Sequence, residues 1–361
     1  MKRIIVSVTN DLITDQRVAR ICDTLSEMNF DILLIGRKHQ NNIPLKRNYK
    51  TKRIKLVFNK GFLFYAEYNL RLFFILLFSK KDLLLSNDLD TLLANFLVSR
   101  IQSKKLTFDS HELFSEVPEL IDKPFVKKVW NALESFILPK LKNNYTVCTS
   151  IANYYNTKYN THFKVIRNVP KEHTLERGRF SFDTHDKKII LYQGSVNMGR
   201  GLELMIDTME FLHNHIFVII GSGDIIADLK QKTTTKDLDS KVKFIDKTPP
   251  LELQKLTPLA DLGISFEEDL GLNYRYALPN KIFDYIQAEV PVLVSDLPEM
   301  KQIVFDYNVG EIIENRNSEI IAKQIETLLQ KNYSSSLQKA KKELTWTNEK
   351  KKLIALFSAI K

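Results

Sequence analysis

The chain has 361 residues, 44% hydrophobic and 27% charged, with a formal net charge of +10 and two cysteines, Cys22 and Cys148. That length exceeds one ordinary core and suits two domains of about 150–200 residues each, and the composition is that of a soluble globular protein whose cysteines lack metal-ligand spacing. The charge is uneven: residues 1–170 hold 27 Lys and Arg against 15 Asp and Glu, and residues 171–361 hold 26 against 28. The first half therefore favours an anionic partner, nucleic acid or an acidic membrane face, although a merely solvated basic half has the same composition.

Lys2 and Arg3 lead into the short apolar run of residues 4–8 with no small-residue cleavage site, so no signal peptide is expected, and a reducing cytoplasm is the default compartment. Residues 3–8 read as a buried first strand, Val18, Ile21, Cys22, Leu25 and Met28 recur at helical spacing, and residues 31–35 make a second strand. This is a βαβ unit with Thr14 as the expected helix cap. The intervening loop from Asp11 to Arg17 has no glycine, which excludes the G-x-G-x-x-G turn of a nicotinamide dehydrogenase; a polar loop lining a cleft is expected there. Residues 62–78 are the most apolar stretch, slightly short for a membrane span and interrupted by Glu67, Asn69 and Arg71. Each mid-bilayer charge costs roughly 2.5–3.5 kcal/mol, so the reading is a helix facing the core or meeting lipid with an aromatic face.

A strand at 83–85, a loop at 86–90 and an amphipathic helix to about Arg100 follow, then a strand at 106–108 that ends in Asp109-Ser110-His111-Glu112. A lone histidine is either structural or, at a strand's carboxyl end, a site residue. Residues 123–142 combine Phe125, Val129, Trp130, Leu133, Phe136 and Ile137 at helical spacing with Lys123, Lys127, Lys128, Lys140 and Lys142, as an interfacial membrane helix or a solvated surface helix would. Strands at 145–148 and 163–166 close the first domain, and periodicity lapses from 167 to 188, which reads as a linker.

A second α/β series begins with a strand at 189–193 and a loop opened by Gly194 and containing Gly199-Arg200-Gly201. After a helix from Leu202 comes a strand at 216–220 with Gly221-Ser222-Gly223 behind it, then a strand at 242–245 and a helix at 251–259. The stretch 262–298 holds a strand, the acids Glu267, Glu268 and Asp269, an irregular segment with Gly271 and Pro279, a helix from about Asn280 to Pro291, and a strand at 292–294. A loop at a strand's carboxyl end beside a helix N-terminus is where α/β sheets bind ligands; the free N–H groups suit a phosphate, and Lys281 adds a full charge.

That stretch, with Leu270-Gly271-Leu272 and PNKIFDYIQAEVPVLVSD, resembles the donor-binding segment of the family-four retaining glycosyltransferases, in a variant branch of that family. The resemblance implies the α/β GT-B architecture: two Rossmann-like domains facing across a cleft, at 1–170 for the acceptor and 171–345 for the nucleotide-sugar donor, with a terminal helix at 346–361 packing back on the first. Glu268 would be the first acid of the family's E-x7-E motif and Asp284 the second, lying sixteen positions on because about eight extra residues intervene. Asp284 is matched to the acid that accepts the ribose hydroxyls, and Gly271 and Leu272 to the donor turn. Arg200 stands where the family carries its phosphate-binding Lys-Gly, Ser195 replaces the partner Arg, and Lys281 would supply the missing charge. His111 falls where the family places the histidine that faces the donor sugar, and Gly194, Gly221 and Gly223 would let backbone approach the donor.

Breaking an anomeric bond puts negative charge on a diphosphate leaving group, which preorganised cations stabilise more in the transition state than in the ground state. The expected partners are a nucleotide-diphosphate sugar and a glycan or lipid-linked acceptor, with an anionic membrane surface met through the basic first domain, no metal and no nucleic acid. The expected setting is cytoplasmic, peripheral on the inner face of the membrane. Bland alternatives are that Arg200 pairs with Glu203 across a turn and that Asp284 only caps its helix. A GT-B-type nucleotide-sugar epimerase and a basic nucleic-acid-binding protein are the competing functions.

Overall fold

The structure is a computed structural model describing residues 1–38, 44–117, 120 and 123–360. It divides into two compact units, Met1–Asn168 together with Thr347–Lys361, and Val169–Trp346.

The first unit runs β1 (Arg3–Ser7), α1 (Gln16–Glu27), β2 (Asp31–Arg37), β3 (Lys50–Ile54), α2 (Gly61–Phe78), β4 (Leu83–Asn87), α3 (Leu89–Ile101), β5 (Lys105–Ser110), α4 (Pro124–Ile137), β6 (Asn143–Thr146), α5 (Thr149–Tyr159) and β7 (Phe163–Val165). The seven strands form one parallel sheet in the order β3-β2-β1-β4-β5-β6-β7. Helices on both faces of a parallel sheet bury its central strands twice over, which is why β1 and β4 are continuous apolar runs. The strand order reverses between β1 and β4, so the loops leaving Ser7 and Asn87 diverge and open a crevice at their carboxyl ends. The cap of α1 is Asp15, one residue beyond the expected Thr14: its carboxylate accepts from the Val18 N–H, and its charge suits the positive end of the helix dipole.

The second unit runs β8 (Lys188–Ser195), α6 (Leu202–Thr208), β9 (His215–Ser222), α7 (Ile226–Thr235), β10 (Val242–Ile245), α8 (Pro250–Leu256), β11 (Leu262–Ser265), α9 (Leu272–Arg275), α10 (Asn280–Gln287), β12 (Val292–Val294), α11 (Pro298–Tyr307), β13 (Gly310–Ile312), α12 (Ser318–Leu329) and α13 (Ser334–Glu343). Its six strands are parallel in the order β10-β9-β8-β11-β12-β13, with the reversal between β8 and β11. Helix α10 is seated on that junction by Tyr285. Its ring occupies the space where a Cβ on Gly263 of β11 would stand 2.4 Å away, and its hydroxyl donates to the Leu191 carbonyl at 3.0 Å and accepts from the Gln193 N–H at 3.2 Å. A side chain on Gly263 would therefore push α10, with Lys281 and Asp284, off the sheet.

The last helix, α14 (Trp346–Ile360), returns to the first unit. There Phe357 meets Phe30 edge to face at 6.3 Å between centroids, Lys105 Nζ donates to the Ile360 carbonyl at 2.6 Å, and Lys350 pairs with Glu27 at 2.9 Å. Two parallel Rossmann-like sheets with a returning terminal helix are the GT-B architecture that the sequence resemblance implied.

Candidate active site

In the second unit the loops after β8 and β11 and the start of α10 converge on Glu267. Ser265 and Glu267 lie two residues apart along extended backbone, and the Ser265 hydroxyl donates to Glu267 Oε2 at 2.6 Å. The carboxylate has no solvent exposure. Oε1 accepts from Lys281 Nζ at 2.6 Å, and Arg200 Nη1 lies 3.5 Å from the same oxygen. Burial alone would raise this carboxyl, but Lys281 and then Arg200 outweigh it and hold it below the ordinary glutamate range. Each cation also lies over an aromatic face: Arg200 over Tyr274 at 4.9 Å and Lys281 over Tyr192 at 4.3 Å. Those rings are fixed by their own hydroxyls, Tyr274 to the Met198 carbonyl and Tyr192 to the Ser195 carbonyl. Two cations, each over an aromatic face, gather around one buried carboxylate in a preorganised setting at the switch point of the sheet.

The backbone around Arg200 is held equally closely. Gly201 has a left-handed φ of 68°, and a Cβ there would stand 2.3 Å from the Phe266 carbonyl, so the β8 loop can lie against the β11 loop only with glycine at this position. The Glu268 N–H donates to the Gly199 carbonyl at 2.9 Å. Arg316, from the segment between β13 and α12, straps the outside of the β11 loop: it donates to the Phe266 carbonyl at 3.1 Å and to Ser295 Oγ at 3.3 Å, and pairs with Glu268 at 3.4 Å.

The expected site residues thus fall in three places. Arg200 and Lys281 are brought together, joined by a Glu267 that was not singled out. Glu268 stands on the outer side of the loop, partly exposed and engaged by Arg316. Asp284 lies in the interior of α10, whose cap position is Pro279, so the helix-capping alternative for it fails. Its Oδ2 accepts from Gln193 Nε2 at 3.2 Å, and the Gln193 amide oxygen accepts from Thr257 at 2.9 Å. Gly194 is the next-to-last residue of β8, where a Cβ would stand 3.6 Å from Lys281 Cε, Gly221 is the next-to-last residue of β9 and Gly223 follows that strand, both close against residues 194–197, Gly271 faces open space, and Leu272 begins α9. Helix α9 carries Tyr274 to Arg200, and residues 276–279 turn from it into α10.

His111 belongs to the first unit, at the carboxyl end of β5. Its Nδ1 is 3.1 Å from Asp88 and its Nε2 3.1 Å from Asp109, and its N–H donates to Asp88 at 2.8 Å. Burial would lower the imidazole, but the Asp88 and Asp109 carboxylates lift it to about 9. With the ionised Asp109 on one ring nitrogen and Asp88, whose carboxyl burial lifts to about 8, on the other, both ring nitrogens of His111 are engaged. Asp109 is in turn gripped through both oxygens by Arg17 at 2.7 and 3.0 Å. Arg17 closes the glycine-free loop, whose Asp11 carbonyl accepts from the Thr14 and Asp15 N–H groups and makes a turn onto α1. Asp88 has φ 58°, a strained conformation for a residue with a side chain, of the kind that concentrates at functional sites. Nearby, Asp90 accepts from Thr9, and burial pushes its carboxyl up to about 7. Among the described residues no three His, Cys, Asp or Glu side chains form a metal-ligating group.

Residues 176–344 match the family model described as "Glycosyl transferases group 1", a span that contains the whole Arg200–Glu267–Lys281 constellation. No curated protein matches the chain. Among solved structures, sucrose-phosphate synthase from Thermosynechococcus elongatus superposes with a TM-score of 0.79 at 13% identity, over 100% of this chain and 99% of that one. The Anabaena HepE structure in complex with UDP and glucose superposes at 0.76 and 13%, over 99% and 100%, and a glycosyltransferase from Rickettsia africae at 0.72 and 12%, over 100% and 99%. At such identities these likenesses show the fold.

Proposed function

We propose that this chain is a retaining glycosyltransferase that moves a sugar from a nucleotide-diphosphate sugar to a glycan or lipid-linked acceptor in cell-surface polysaccharide synthesis. The observation that carries the reading is the Arg200–Glu267–Lys281 cluster at the carboxyl ends of β8 and β11, inside the segment that matches the group 1 glycosyltransferases. As the anomeric C–O bond breaks, its electron pair passes to the diphosphate, and the preorganised Arg200 and Lys281 cations stabilise the charge that develops there. Asp284 accepts the ribose hydroxyls, with Gln193 fixing its orientation. Gly194, Gly221 and Gly223 keep the floor of the site at backbone level. Glu268 and the Gly271-Leu272 turn border the sugar.

The UDP and glucose named with the Anabaena structure belong to the same ligand class, which supports the reading. The competing epimerase would use the same donor site without a second substrate. Incubation with a panel of nucleotide sugars, following nucleotide release with and without acceptor, tests the proposal: release stimulated by a glycan acceptor is expected, and release with epimerised sugar independent of any acceptor would refute it. The anomeric coupling constant of the product, read by NMR, tests retention.

A further inference from the structure

Helix α2 is largely apolar, with Glu67, Asn69 and Arg71 its polar exceptions, yet only four of its eighteen residues are buried. Phe64, Tyr68, Leu72 and Leu76 form the inward stripe, where the Tyr68 hydroxyl donates to the Val8 carbonyl at 2.7 Å and Asn69 Nδ2 to the Asp90 carbonyl at 2.7 Å. The opposite stripe repeats the same four-residue spacing in water: Phe62 is 72% exposed, Leu70 60%, Phe74 49% and Phe78 81%. It runs about 24 Å along the helix. Leu97 and Ile101 of the neighbouring α3 extend it on one side. At the α2 N-terminus the preceding loop adds Val57 and Phe58, both exposed, whose N–H groups donate to the Glu67 carboxylate, itself paired with Arg71 at 2.7 Å. The chain thus spends a charged anchor on holding two apolar side chains outward.

We infer that this face seats the first unit on an anionic lipid bilayer, with α2 lying in the interfacial plane. A soluble surface does not keep a stripe of this length and composition without an apolar partner. The partner's charge follows from the border: Lys55, Lys60, Arg71, Lys80 and Arg100 are exposed around the stripe, and the sole acid between Lys55 and Lys81 is the Glu67 already engaged. Apolar side chains reaching past the headgroups with Lys and Arg at both ends and one edge match the layered chemistry of a bilayer of negative headgroups. Although α2 is long and apolar enough to cross a membrane, its hydrogen bonds to Val8 just after β1 and to Asp90 of α3 hold it flat on the unit, so it rests on the membrane surface. This inference goes beyond the donor chemistry and does not depend on it.

The test is vesicle flotation of the full chain at low salt, with phosphatidylcholine vesicles containing or lacking phosphatidylglycerol, alongside sedimentation velocity without lipid. The wild type is expected to float with the anionic vesicles and stay behind with the neutral ones. The double variant Leu70→Glu/Phe74→Glu is expected to float at least tenfold less, and Phe305→Glu, an exposed apolar residue on α11 of the second unit, to float as wild type. Circular dichroism checks that all three fold. Wild type that stays behind with both vesicles would overturn the inference, as would a double variant that floats normally. A wild-type dimer that the double variant converts to monomer, without flotation, would assign the face to a second copy of the chain and equally overturn it. Because flotation reads no turnover, a failed donor assay leaves this result untouched.

Discussion

Replacing Glu267 with glutamine removes the buried carboxylate that pairs with both Lys281 and Arg200, while keeping the side chain's shape. At an effective dielectric of about 20, the 2.6 Å contact is worth about 6 kcal/mol of attraction and the 3.5 Å contact about 5 kcal/mol, before desolvation. Leaving a buried charge without its partner costs about 3–5 kcal/mol net, so we expect the second unit of E267Q to lose about 3 kcal/mol. For a unit of this size that lowers Tm by about 6–12 °C. The loss should be partly reversed by millimolar pyrophosphate or nucleoside diphosphate, because a bound diphosphate restores the negative charge that the cations lack, and differential scanning fluorimetry with and without the ligand reads both effects. In the wild type the Glu267 carboxyl is held below its unfolded value of 4.5, so its contribution is present above that pH and is lost as pH falls below it. E267Q should therefore show a shallower acid limb. An unchanged Tm, or a deficit that diphosphate deepens, would refute the assignment of Glu267 as the group that holds the two cations.

Asp284→Ala and Arg200→Ala should fold but lose donor turnover by about 100- to 1000-fold, the loss typical of one charged transition-state contact, and wild-type rates in both would remove them from the site. Chelation with EDTA should leave turnover unchanged, and activity lost to EDTA and restored by Mg²⁺ or Mn²⁺ would reverse the metal-independent reading. His111, raised to about 9 from 6.5, and its partner Asp88, raised to about 8 from 3.8, both hold their protons more tightly in the folded chain, so stability falls as pH rises through 8 and 9. Chemical denaturation from pH 6 to 10 should show that decline in the wild type and a flatter profile in His111→Ala.

What could be read from the sequence follows the physics of burial. Strands buried on both faces, such as β1, β4 and β11, stand out as apolar runs, and the two Rossmann-like halves follow from their alternation with helices. Strand β3, KTKRI, carries no such run because it is the edge strand and its side chains are alternately exposed, and α5 with three buried residues is similarly faint. In the site, Lys281 was marked by the helix start, and Arg200 and Asp284 by the resemblance to the donor-binding segment. Glu267 was passed over for its neighbour Glu268, although the two-residue spacing from Ser265 along extended backbone is the signal that Glu267, and not Glu268, turns inward. Arg316 and Arg17 had no local signal: each meets its partner about fifty or more residues away in the chain, and only the fold brings them there.

The return of α14 to the first unit has a temporal side. That unit is interrupted by the entire second one, and Phe30, Glu27 and Lys105 wait for partners at positions 357, 350 and 360. During synthesis the second unit has every residue it needs before the first does, so the usual N-terminal-first order of folding is inverted for the final step. A released chain truncated after residue 346 would carry a finished second unit and an unfinished first one, open along the surface where Leu353, Leu356 and Phe357 belong, and would draw chaperones there.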